Sequence, residues 1–542
     1  MLEWRRSSQS MQSLLILLPA FLLTSFNNLS QNTAATADNE WKGHLSEGIV
    51  WLREQKFERA KQEFLQATRL QKNRAEGFLY LGVVELHLNQ LAEAERALCR
   101  AVILNPRSAQ AQYNLGLTYS RQNKADEAIQ HLEKAVLLAP QQPDGLYNLG
   151  VLLLGQKRAA EAARYLERAQ KAGLDTPELS ANLVRAYVES GATEQALKLA
   201  QSTSERFASV PEFHLALAQV FLDHDLLKTA RSYLEKASHQ VGCDPAAQLP
   251  LADVSLRQGD APGALQALGC LAGKMADSPE YHHLLAQAHI RLGHKVESLN
   301  EIHRAIELDP ANAVYQLTLG RFYQKHGEQL KAVEVLEKAA KLDPNLPEIP
   351  YSIAVSYFIA DDFEYALRYL DTALKLSPKF DRAYFLLGII KTAQSRLQEA
   401  ESSLLRSLDL KPQNPFYHCI YGMVLFAQQR FSEAIESFQR TLSLDSSYGL
   451  GYYQLGRTLA QVRKFAEARD ALERAIALRP DLAEAYYRLG TVYVRLGEKD
   501  KAEKAMATFQ QFHAVEMNER QEMLKTMREV VHPEASPKAP GE

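Results

Sequence analysis

The sequence predicts an all-α solenoid of about fourteen 34-residue helix-turn-helix repeats, closed by a long C-terminal capping helix. Three observations predict it. Counted in steps of 34 from Trp41, position 20 is alanine in thirteen of fourteen repeats, from Ala60 to Ala502, with Ser298 the exception. Proline falls seven times at position 32 (Pro106, Pro140, Pro310, Pro344, Pro378, Pro412, Pro480) and seven times at position 1 (Pro143, Pro177, Pro211, Pro245, Pro279, Pro347, Pro415). A ring without an N–H ends one helix or opens the next, so these prolines mark the joints between repeats. Between the joints, each repeat holds two stretches of roughly a dozen residues with apolar side chains at the helical period. They are divided near position 15 by Gly191, Gly259, Gly293, Gly327, Gly497 or a polar residue.

In chain order, residues 1–37 read as a secretory signal peptide. Arg5 and Arg6 supply a positive start, Leu14 to Leu23 an apolar core, and Ala35-Thr36-Ala37 a small-x-small cleavage site. The apolar run is shorter than the ~20 residues a membrane span needs. The expectation is export to the periplasm, the cell surface or the medium, with no membrane insertion once the signal is removed. An uncleaved N-terminal anchor is the alternative, because the cleavage site lies 14 residues beyond Leu23. The single N-x-[ST] triplet, Asn28-Leu29-Ser30, sits inside the signal, which favours a bacterial compartment over a glycosylating one.

Residues 41–516 are the array. Position 8 is glycine in nine repeats (Gly48, Gly82, Gly116, Gly150, Gly320, Gly388, Gly422, Gly456, Gly490), a small residue where two helices must approach closely. One hairpin cannot bury its apolar face alone, whereas stacked hairpins build a continuous core from nearest-neighbour contacts. Leucine at position 7 (Leu115, Leu149, Leu319, Leu387, Leu455, Leu489) and an aromatic at 11 (Trp51, Tyr119, Tyr187, Phe221, Tyr323, Tyr357, Tyr493) complete the pattern. It resembles the tetratricopeptide repeat (TPR) family over about seven-eighths of the chain. The resemblance implies a superhelix whose concave groove is lined by the first helix of each hairpin, with positions 2, 5, 6, 9, 12 and 13 facing it.

Repeat 7, residues 245–278, departs from the pattern. It carries Pro250 inside the first helix, Pro262 early in the second, and Gly259, Gly263, Gly269 and Gly273. Helix propensity is poor there, and a kink between two more regular halves is expected. Cys243 precedes its first helix and Cys270 ends its second, ends that antiparallel packing brings together, so the two form either a disulfide or a pair of buried thiols. Cys99 and Cys419 lie in distant repeats and are expected to be free. Beyond Gly497 no Gly or Pro occurs before Pro533, so the last helix is expected to run on as a cap over 498–531. Residues 532–542 (HPEASPKAPGE) form a polar, Pro-rich tail expected to be disordered.

Composition excludes other classes. Lys and Arg total 62 against 65 Asp and Glu, a net charge of −3, so no global field draws the chain to nucleic acid. No phosphate-binding glycine loop, nucleophile elbow or zinc-helix motif occurs, which leaves no catalytic residue and no cofactor to assign. The best metal candidates are His282, His283, His289 and His294. His282 and His289 occupy positions 4 and 11, where the family packs large side chains, so packing is expected and no metal. Acids repeated at position 2, such as Glu76, Asp144 and Glu178, begin helices, where the helix dipole accounts for them.

Function is therefore expected in the groove. Position 6 is Asn114, Asn148 and Asn182 in three successive repeats, following Tyr113 and Tyr147 in the first two. An amide carries both a donor and an acceptor, so such a row can pair with peptide bonds without reading side chains; equally, it can satisfy local backbone or water. Later repeats offer Arg291, Arg321, Lys325, Tyr453, Arg457, Tyr487, Arg488 and Arg495, residue types enriched at binding hot spots and suited to an acidic or aromatic extended segment. These same positions also fit a solvated charged face with tyrosine rings in the core. The expected function is a non-enzymatic scaffold that binds extended segments of other proteins. The alternatives are an envelope, secretion or assembly scaffold acting through its convex surface or ends, and a regulatory partner of a separate enzyme such as a glycosyltransferase.

Overall fold

The computed structural model describes residues 34–513. Among them are 28 helices and no strand. Each repeat pairs a helix A with a helix B; repeat 2, for example, is Ala75–His87 with Leu91–Leu104. The described residues form two compact units, divided between Val220 and Phe221. Within each, a helix A packs on its own B, that B on the next A, and most successive A helices touch directly.

The sequence pattern explains the joints. Six of the seven position-1 prolines are the first residue of their helix, as in Pro143–Gly155 and Pro415–Ala427; Pro347 instead stands just before Glu348–Ile359. Ser108, Thr176, Ser278 and Asn414 cap helices A by accepting a hydrogen bond from a first-turn N–H, satisfying donors the helix leaves unpaired.

The A-to-B turn is the same everywhere. Position 15 has positive φ in all fourteen repeats, from Gln55 (57°) to Gly497 (80°), although only five of these residues are glycine. The N–H of position 16 donates to the carbonyl of position 11 in every repeat, at 2.8–3.0 Å. That bond closes helix A in a Schellman-type turn. Alanine at position 20 follows from it: every position-20 residue is buried, Ser298 included. Its neighbour across the hairpin is the position-8 glycine, where a Cβ would lie 2.7 Å from Leu166 Cγ at Gly150 and 2.8 Å from Leu132 Cγ at Gly116.

Repeat 7 differs from expectation in one half. Pro250 does not interrupt Pro245–Arg257, because Ala252 and Leu256 are buried in the local core and outweigh propensity. Helix B does shorten, to the nine residues Ala261–Gly269, against 13–15 in the other repeats. The structure joins Cys243 to Cys270 in a disulfide across this shortened hairpin, Cα to Cα 5.7 Å. Cys99 and Cys419 are free. The division between the two compact units falls in repeat 6, one repeat before the residues whose composition predicts a kink.

The first helix, Ala34–Arg53, starts one residue before the expected cleavage triplet Ala35-Thr36-Ala37, and the last described helix is Lys499–His513. The signal segment before Ala34, the cap from 514 to 531 and the tail at 532–542 lie outside the described residues. No described helix is long and apolar enough to cross a membrane.

Candidate binding groove

In the first unit the asparagine row is bonded within the protein. Asn148 Nδ2 donates to Tyr113 Oη at 2.8 Å, and Asn182 Nδ2 donates to Tyr147 Oη at 3.1 Å. Each asparagine thus meets the tyrosine one repeat back. Asn114, which has leucine one repeat earlier, turns to the carbonyl of Gln110 at 2.8 Å in its own helix. Asn114 and Asn148 are buried, while Asn182, Tyr113 and Tyr147 are half-buried. Burial pushes the Tyr113 hydroxyl well above its ordinary range, with the Asp144 carboxylate adding to the effect and the Asn148 bond opposing it. Burial likewise raises Tyr147. Both phenols are neutral at physiological pH, and an oxygen that accepts from an amide keeps its own proton to donate.

The basic residues of position 13 have an unforeseen role. Arg121 donates to the carbonyl of Leu86 at 2.9 Å, Lys325 to that of Ile290 at 2.5 Å, and Arg291 to that of Leu256. In each case the acceptor is position 12 of the preceding helix A, a last-turn carbonyl that otherwise accepts the position-15 N–H of its own turn, at 2.9–3.3 Å, and has a lone pair to spare. Arg257 instead pairs with Asp225, 2.6 Å away. A basic side chain recurring in the last turn is the sequence signal for such capping.

The remaining candidates divide by depth. Tyr453 is 4% exposed, a core residue like Tyr351 and Phe385 at the same position, because the next helix A covers position 5. Arg321 reaches Ser352 Oγ at 3.4 Å. Arg457 stacks its guanidinium 4.4 Å from the Phe426 ring. On Ala483–Leu496, Tyr487 is 42% exposed beside Phe509, with the Arg488 guanidinium 5.9 Å from the Tyr487 ring. Arg495 and Val494 are exposed on the same helix.

His282 bonds Glu301 at 2.5 Å between helices A and B, using the position 4 to position 23 register that also joins His44 to Glu63 and Gln112 to His131. Among the described residues, no group of three or more His, Cys, Asp or Glu is arranged to hold a metal.

Four family models described as tetratricopeptide repeat match the chain. One matches residues 45–112, 88–143, 113–175, 351–415 and 453–512; the others match 153–220, 313–346 and 245–269. No curated protein matches. Among similar solved structures are the APC/C hetero-tetramer Cut9-Hcn1, MamA and YrrB. The first is 17% identical with a TM-score of 0.43, covering 89% of this chain and 95% of that one. MamA is 24% identical with a TM-score of 0.28, over 32% of this chain and 97% of that one. YrrB, described as a TPR protein with an unusual peptide-binding site, is 21% identical with a TM-score of 0.29, over 34% and 96%. These scores carry no functional argument.

Proposed function

Because this chain belongs to the tetratricopeptide repeat family, whose fold typically serves protein–protein interaction without catalysis, we propose that it is a scaffold that grips extended segments of partner proteins along its A helices. The supporting observation is the Tyr113–Asn148 and Tyr147–Asn182 pairing. It fixes two neutral phenols one repeat apart, each with a proton to donate to a peptide carbonyl, while Asn182 Oδ1 remains an acceptor. Tyr487, Arg488 and Arg495 supply a second, aromatic and basic lining suited to acidic or aromatic segments. Export follows from the arrangement of residues 1–37, and a disulfide at Cys243–Cys270 suits an oxidising compartment.

Crosslinking in the native compartment tests the proposal. Tyr113→Phe with Tyr147→Phe removes two hydrogen bonds worth about 1 kcal/mol each, roughly thirtyfold in affinity. Reversing charge at Arg457, Arg488 and Arg495 tests the second lining. Partners that survive both sets of changes refute the groove reading. A second reading, docking through helices B, is favoured by Ile103 and Leu137, which share position 29 in adjacent repeats and are 68% and 81% exposed. Loss of partners from Ile103→Asp with Leu137→Asp alone would select it.

A further inference from the structure

The bond from the position-16 N–H to the position-11 carbonyl closes the same turn in every hairpin, and in repeats 1, 3 and 8 the side chains at those two positions meet. In repeat 1 the Lys56 ammonium lies 4.7 Å from the Trp51 ring, and in repeat 3 Lys124 lies 5.2 Å from the Tyr119 ring. Repeat 8 places histidine at both positions. His294 N donates to the His289 carbonyl at 3.0 Å, Gly293 makes the turn at φ +78°, and His289 Nδ1 stands 3.1 Å from His294 Nδ1.

We propose that His289 and His294 form a two-imidazole chelate for a borderline divalent transition-metal ion such as Cu²⁺, Ni²⁺ or Zn²⁺. Imidazole suits these ions, which bind nitrogen at about 2.0–2.1 Å. Two nitrogens at that distance lie about 2.9 Å apart for a right-angled bite and about 3.4 Å for a tetrahedral one. The observed 3.1 Å falls between them. His294 is exposed and His289 half-buried, so water has access to the remaining coordination positions. Glu297 and Glu301, on helix B of the same hairpin, place negative charge near His289. A bound ion ties the end of helix A to the start of helix B. The ordinary alternative is an N–H···N hydrogen bond between the two rings.

The test is titration of the full chain with CuCl₂ and separately ZnCl₂, by calorimetry and by thermal unfolding, with EDTA reversal. The variants His289→Tyr and His294→Lys install residues that other repeats carry at these positions, Tyr119 and Lys124 among them, so folding is retained. We expect one ion per chain to raise the unfolding midpoint of the wild type. Each variant should lose about tenfold or more in affinity, while His282→Ala keeps it. Equal binding by wild type and both variants, or no uptake by the wild type, overturns the proposal.

Discussion

Helix Pro143–Gly155 contains an experiment and its control. Gly150 sits at position 8, where an added Cβ would lie 2.7 Å from Leu166 Cγ, 2.8 Å from Leu166 Cδ2 and 3.3 Å from the Ala162 carbonyl. Leu166 is fully buried and Cγ is close to its backbone, so the methyl cannot be accommodated by a rotation at the side-chain tip. Gly155, in the last turn, has nothing within 4 Å of that position. Gly→Ala gains about 1 kcal/mol of helix propensity at either site. Overpacking at Gly150 costs about 1–3 kcal/mol. Gly150→Ala should therefore destabilise its hairpin by about 1 kcal/mol net, while Gly155→Ala stabilises the same hairpin by about 0.5–1 kcal/mol. A repeat array need not unfold as one two-state system, so the measurement is native-state hydrogen exchange over 143–171 rather than a single melt. Leu166→Ala added to Gly150→Ala should cost less than the two changes summed, because the cavity receives the new methyl. If Gly150→Ala is as stable as Gly155→Ala, the close approach at position 8 is not what fixes glycine there.

Three further outcomes follow from the same structure. Lys157 and Arg463 hold left-handed backbone at φ 59° and 63°, so Lys157→Gly and Arg463→Gly should each stabilise their own hairpin by about 0.5–1 kcal/mol in native-state hydrogen exchange, and Gly191→Ala should cost its hairpin a similar amount. Burial pushes the Glu85 carboxyl up to about 7, against the pull of Lys61, whose ammonium is 3.9 Å away. The folded chain then keeps a proton that the unfolded chain loses near 4.5, so stability falls as pH rises from about 4.5 to 7; Glu85→Gln should flatten the dependence, and an unchanged pH profile of exchange in residues 75–104 would count against it. Reducing Cys243–Cys270, which closes a loop of sequence separation 27, should remove about 3.5 kcal/mol and raise exchange in repeat 7 while distant repeats keep their protection.

The repeating features were legible because each is a local rule copied from repeat to repeat, seven to thirteen times in fourteen. Ala60, Pro143 and Gly150 reveal their roles only when set beside the residues 34 positions on. What sequence reading missed lies between repeats. The partner of Asn148 is Tyr113, 35 residues away, and the partner of Arg291 is a backbone carbonyl that no side-chain pattern displays. Tyr453 and Arg457 share one helix and one lining pattern, yet the next helix A covers the first and not the second. Pro250 marks the limit of propensity: packing of Ala252 and Leu256 keeps its helix whole.

Nearest-neighbour packing also has a mechanical consequence. Stretched from its ends, such a chain yields one hairpin at a time, each freeing 34 residues, or about 120 Å of contour at ~3.5 Å per residue. The Cys243–Cys270 bridge withdraws its loop, of sequence separation 27, from the line of force. About 95 Å of contour stays hidden until a reductant reaches the bond, so the length of the extended chain reports the redox state of its surroundings.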